Sequence, residues 1–357
     1  MGRVMRVWEY ALAKKSTSYV LLGMFALVYF IPLGYMLLGE KTELHFFSSM
    51  TVTELQIISV FILQFVYCIY WVLLVRVTSW ADTQHRVSFR LHFLLITIVL
   101  LYGLPFPVIA QYFFILVFIS LCGLFRIPLK IIVFYMFFIG LEEFLFRGGR
   151  MILVNAILLL AIFSIRSTAV IIFSGFLMVL ISVYVLLPMR HGVPVIFDVG
   201  LSEIPQNIYR NVTPILIGAF LSFEADISNL QFFADYFPFG RTVLGETSII
   251  DRVAFDFLPV EQYQSGTRLG SNSAIMYKWS IFFQAAFILL FFYFYVKYIR
   301  LLSSGLNNAL VIYLLWNMTV IPRRSFTTFI ADTIALTVVY LLIMSFLSVI
   351  LYKNKSE

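Results

Sequence analysis

The chain has 357 residues, 62% of them hydrophobic and only 12% charged, with 39 Phe, 20 Tyr and a mean hydropathy of +0.97. Soluble domains run near 45–50% apolar and about 25% charged, so a soluble enzyme, a disordered chain and a nucleic-acid binder are all excluded. The net charge of +7 reads as the Lys and Arg excess of a membrane protein's cytoplasmic loops rather than as a polyanion-binding surface.

Arg3, Arg6, Lys14 and Lys15 precede an apolar run over 17–38. That run is too long for a signal-peptide core and has no small-residue cleavage site, so it predicts the first span. A second span is predicted over 53–75. The apolar stretch 91–124 is about 50 Å long as one helix, too long for a single crossing. It contains Leu104-Pro105-Phe106-Pro107, and two prolines so close together end a helix, so two short spans are predicted there. Further spans are predicted over 131–146, 151–165, 167–188, 279–296, 303–321 and 329–351. The expected fold is an all-α polytopic membrane protein with about 10 (10–12) transmembrane helices. It divides into an N-terminal membrane bundle of about seven helices (1–188), a large loop with short amphipathic helices (189–278) and a C-terminal three-helix membrane segment (279–357). The apolar stretch 212–223 is short for a span and is followed by Glu224 and Asp226, which predicts an amphipathic or re-entrant piece of the loop. Cys68 and Cys122 both lie in apolar runs and offer neither a disulfide framework nor a Cys metal site.

Alternating sides from a cytoplasmic N-terminus places fourteen Lys and Arg in the short inner segments and five in the short outer ones. Both termini are then expected in the cytoplasm and the 189–278 loop outside.

That loop holds nine of the 18 acidic groups: Asp198, Glu203, Glu224, Asp226, Asp235, Glu246, Asp251, Asp256 and Glu261. Before Lys278, its basic residues are all arginine: Arg190, Arg210, Arg241, Arg252 and Arg268. Arginine presents a planar fork that grips phosphate or carboxylate with two hydrogen bonds, whereas lysine is a point charge. Together with Arg147, Arg150, Arg323 and Arg324 at the same face, these arginines suit an anionic lipid headgroup such as a pyrophosphate. They suit pairing with the nine carboxylates as well. His191 is the one histidine placed near this face; His45, His85 and His92 are expected at interfaces. Glu142 and Glu143 end the fifth span. Asp332 lies near the outer end of the last, where a membrane carboxylate is a functional candidate by default.

Locally, Gly266-Thr-Arg-Leu-Gly-Ser-Asn272, Arg147-Gly-Gly-Arg150 and Pro322-Arg-Arg-Ser325 sit beside predicted spans, and Tyr236-Phe-Pro-Phe-Gly-Arg241 lies within the loop. With these segments and its architecture, the chain resembles the Wzy-type oligosaccharide repeat-unit (O-antigen) polymerases of bacteria over nearly its whole length. The resemblance implies a GT-C-like membrane glycosyltransferase of the bacterial inner membrane with a periplasmic active loop. It would transfer a growing undecaprenyl-pyrophosphate-linked glycan onto a lipid-linked repeat unit. Arg147, Arg150, Arg210, Arg241, Arg268, Arg323 and Arg324 are the expected pyrophosphate ligands. Glu203, His191 and Glu246 are the expected bases. No metal and no cofactor are implied. The expected partners are the lipid-linked oligosaccharide, the bilayer and a chain-length regulator protein. Related readings are an O-antigen ligase, which differs in its acceptor, and a flippase for lipid-linked oligosaccharide.

Overall fold

The computed structural model describes residues 17–37, 53–77, 88–104, 106–147, 151–164, 168–181, 184–185, 304–318 and 326–356, with ten single positions between 220 and 297. Nine helices lie among these residues: α1 (17–37), α2 (Glu54–Val77), α3 (Phe89–Gly103), α4 (Val108–Leu124), α5 (Leu129–Arg147), α6 (Met151–Ser164), α7 (Thr168–Ile181), α8 (Ser304–Trp316) and α9 (Phe326–Ser356). No strand occurs among the described residues. Three stretches are long and apolar enough to cross a membrane: Thr17–Gly34, Glu54–Val75 and Phe329–Val349. Shorter apolar helices cover Phe89–Gly103, Ala110–Leu124 and Ile152–Ile162. Large apolar side chains such as Phe93, Leu100, Phe134, Leu342, Phe346 and Val349 point outward, as lipid-facing residues do. The chain is an all-α membrane protein.

Local chemistry accounts for the helix ends. Within α1, Ala26–Phe30 forms a π turn, and the Ile31 N–H reaches back to Ala26 O. Pro32 follows directly. It has no N–H to give the preceding turn, and such a gap favours a local π adjustment. A capping box starts α2: the Gln56 N–H bonds to Thr53 Oγ1 at 3.3 Å, and the Thr53 N–H to Gln56 Oε1 at 2.9 Å. Ser88 caps α3 through the Leu91 N–H.

The 91–124 stretch is two helices, as the prolines predict. Leu104 is extended (ψ 154°) because the residue before a proline is driven from helical geometry, and α4 restarts after Pro107. The α4 C-terminus closes with Arg126 at φ 50°, Ile127 N–H on Cys122 O and Arg126 N–H on Gly123 O. This hydrogen-bond pattern usually places glycine at the left-handed position. Here the Arg126 side chain instead donates to the Ser304 hydroxyl at the start of α8.

Small residues set the packing. Gly123 on α4 lies against the backbone of Gly305 and Ala309, a small-xxx-small pair on α8. Gly140 on α5 lies against the backbone of Ile152 and Leu153 on α6. Phe118, Tyr135 and Trp316 join α4, α5 and α8 through ring contacts. The C-terminal pair α8–α9 thereby docks on α4, far away in sequence. Phe220, a single described position in the stretch expected to be re-entrant, is fully buried in the same core.

One topological expectation fails. The Trp71 and Phe329 rings meet edge to face at 4.5 Å. Alternation of sides would put the end of α2 and the start of α9 at opposite surfaces. In the structure the last turns of α2 lie at the level of the first turn of α9. Alternation assumes that each link merely reverses direction.

Candidate functional site

Among the described residues of α3–α9, the carboxylates gather at one end. Arg90 opens α3, Arg126 lies in the turn after α4 and Lys130 opens α5; these ends lie together. Glu142 and Glu143 end α5, and Asp332 begins α9, at the opposite end. Two interhelical hydrogen bonds fix α3 and α5 as parallel neighbours. His92 Nδ1 and the Tyr135 hydroxyl share one of 2.8 Å near the basic end, and the Tyr102 hydroxyl donates to Glu143 Oε2 at 2.9 Å near the acidic end.

The acidic end is built as follows. Tyr102 and Gly103 close α3. The Glu142 carboxylate lies over the Gly103 Cα, in space that any Cβ would need. After the break at 104–107 the chain enters α4, and the Gln111 side-chain N–H holds Phe106 O at 2.7 Å. One residue later, the Tyr112 hydroxyl donates to Asp332 Oδ1 at 2.5 Å. The Tyr313 hydroxyl, from α8, donates to Asp332 Oδ2, also at 2.5 Å. Both distances lie at the short end for hydrogen bonds to a carboxylate. Asp332 is only 6% exposed, so its two oxygens tie α4, α8 and α9 together inside the apolar bundle. A buried carboxyl held in this way is tolerable where an unsatisfied one would be very costly.

Asn155, fully buried on α6, donates to the Trp316 carbonyl at the end of α8. Helix ends leave such carbonyls without intrahelical partners, so this bond satisfies one of them. Asn155→Leu is expected to cost about 1–3 kcal/mol of stability through the deprived carbonyl. Thermal unfolding of the full chain in detergent measures it, and an unchanged Tm would show that the bond contributes nothing.

Of the predicted site residues, Arg147 is the last residue of α5 and so belongs to the acidic end. Arg150, His191, Glu203, Arg210, Arg241, Glu246, Arg268, Arg323 and Arg324 lie outside the described residues. The structure shows instead three separate hydrogen-bonded groups at that end, Tyr102 on Glu143, Tyr112 and Tyr313 on Asp332, and Asn155 on the Trp316 carbonyl, whose tyrosines and asparagine composition alone does not single out. Their one sequence signal is a polar atom in the last or first turns of an apolar helix. Among the described residues, no three His, Cys, Asp or Glu side chains gather around a common metal position. Cys68 and Cys122 are free and buried.

Comparison with known proteins finds no family model, no curated protein and no solved structure that matches the chain.

Proposed function

We propose that the protein is an oligosaccharide repeat-unit polymerase of the Wzy type, a GT-C-like glycosyltransferase of the bacterial inner membrane. The single observation that carries this reading is the gathering of the carboxylates at one end of the bundle, beside arginine-bearing segments. Glu142, Glu143 and Asp332 share one end with Tyr102, Tyr112 and Tyr313, and the segments carrying Arg147–Arg150 and Arg323–Arg324 adjoin the helices at that end. The end with Arg90, Arg126 and Lys130 suits the cytoplasm, and Lys353 and Lys355 follow on α9 toward it. The acidic end then faces the periplasm.

In this reading a hydroxyl oxygen of the incoming lipid-linked repeat unit attacks the anomeric carbon of the growing glycan. The bond from that carbon to the pyrophosphate oxygen breaks, its electron pair leaves with undecaprenyl pyrophosphate, and the hydroxyl proton passes to a protein base. Pyrophosphate is a good leaving group. The protein's main contribution is therefore charge stabilisation by arginines, with a base for the acceptor.

The test uses the full chain in lipid vesicles with an undecaprenyl-pyrophosphate-linked repeat unit. Products two or more repeats long, with one undecaprenyl pyrophosphate released per bond formed, are expected. Transfer to a lipid A core acceptor alone would make it a ligase. Movement of the lipid across the vesicle with no new glycosidic bond would make it a flippase.

A further inference from the structure

Asp332 has more than packing to explain it. Apolar residues hold helices together at lower desolvation cost than a buried carboxylate does. Carboxylates inside membrane bundles typically serve proton movement or ion and substrate paths. The two tyrosines on Asp332 are not equivalent. Tyr313 is 4% exposed and its bond to Oδ2 is buried. Tyr112 is half-buried, and its bond to Oδ1 is only partly buried. Tyr112 also stands in the first turns of α4, directly after the break at 104–107. Tyr112 is thus the less buried of the two tyrosines on a carboxylate that is itself closed off from the surface.

We propose that Tyr112 and Asp332 form the proton relay that activates the acceptor hydroxyl, an inference that rests on the transferase reading above. As the acceptor oxygen forms its bond to the anomeric carbon, its proton passes to the Tyr112 oxygen. The Tyr112 proton passes at the same time to Asp332 Oδ1. Tyr112 stays neutral and Asp332 becomes the carboxylic acid. After the elongated glycan leaves, the proton returns to water by the same path. Tyr112 is the catalytic residue that meets substrate. Asp332 acts through it, and Tyr313 holds the second carboxylate oxygen.

A simple helix latch makes a different prediction, because it uses the two tyrosines alike. The experiment compares Asp332→Asn, Tyr112→Phe and Tyr313→Phe in the full-length protein in vesicles, with the lipid-linked repeat unit as substrate. Each variant is first checked for wild-type elution and helicity. Asp332→Asn and Tyr112→Phe are expected to lower kcat by about 10²–10⁴, with KM for the acceptor within about threefold. Tyr313→Phe is expected to lower kcat by less than about tenfold. The Asp332→Asn/Tyr112→Phe double variant is expected to be no slower than the slower single variant, since both remove one path. Asp332→Glu is expected to recover part of the lost rate. Equal losses in Tyr112→Phe and Tyr313→Phe, or full activity in Asp332→Asn, overturn the relay and leave the transferase reading standing. Absence of any polymer from the wild-type protein overturns both.

Discussion

Arg147→Ala, Arg241→Ala and Arg268→Ala are each expected to leave surface glycan with one repeat unit attached and no long chains. In the proposed transfer, negative charge grows on the departing pyrophosphate as its bond to the anomeric carbon breaks. A guanidinium held beside the leaving group would stabilise that charge with two parallel hydrogen bonds and no reorganisation. Removing one such donor typically costs about 10²–10³ in rate, or about 2.7–4 kcal/mol of transition-state stabilisation. Chain length falls steeply, because each added repeat passes through the same slowed step. Lysine keeps the charge and loses the fork, so Arg147→Lys is expected to fall between alanine and wild type. Membrane levels of each variant must equal wild type, and the glycan is then separated by length. Wild-type chain lengths in all three alanine variants would remove the arginines from the mechanism. Complete loss of attached sugar would point to a ligase or a flippase.

Gly123→Leu is expected to have the largest effect on the fold. A Cβ at this position would lie 2.6 Å from both Ala309 N and Gly305 O. Both are backbone atoms of α8 and cannot swing aside as a side chain can. Overpacking of this kind typically costs about 1–3 kcal/mol, and leucine adds three carbons beyond the Cβ. Strain there reaches further than one contact, because the Tyr340 side chain of α9 packs on Gly305 as well. The docking of α8 and α9 on α4 is expected to loosen as a unit, with a lower Tm and early proteolysis of the C-terminal helices. Gly23, with nothing within 4 Å of its missing Cβ, is the control, and Gly23→Ala is expected to unfold with wild type. Equal Tm values for Gly123→Leu and Gly23→Ala would show that the α4–α8 approach does not support the fold.

These two sites differ in how legible they were. The arginines stand out because charge is scarce in this chain, at 12%, and a scarce charge needs a reason. Gly123 does not stand out among 18 glycines, although Gly305-x-x-x-Ala309 carries the small-residue spacing of a close helix crossing. Spacing along one helix does not name the helix that fits against it. Asp332 was visible as a membrane carboxylate, whereas Tyr112 and Tyr313 were two among 20 tyrosines.

What the sequence determined by itself rests on local and bulk physics. Composition dictates a membrane protein, because so much apolar surface has no other stable place. Pro105 and Pro107 dictate two helices over 91–124, since a missing N–H and a steric clash need no tertiary context. What the tertiary structure decided depends on partners far apart in the chain. Tyr112 and Asp332 are 220 residues apart, and their bond forms where α9 packs on α4, beside the close approach of α8 to α4 at Gly123. The level of α2 against α9 was likewise decided by the packing of Trp71 on Phe329. Alternation of sides is a rule about neighbours in sequence, whereas α4 meets α8 and α9, and α2 meets α9, only in space.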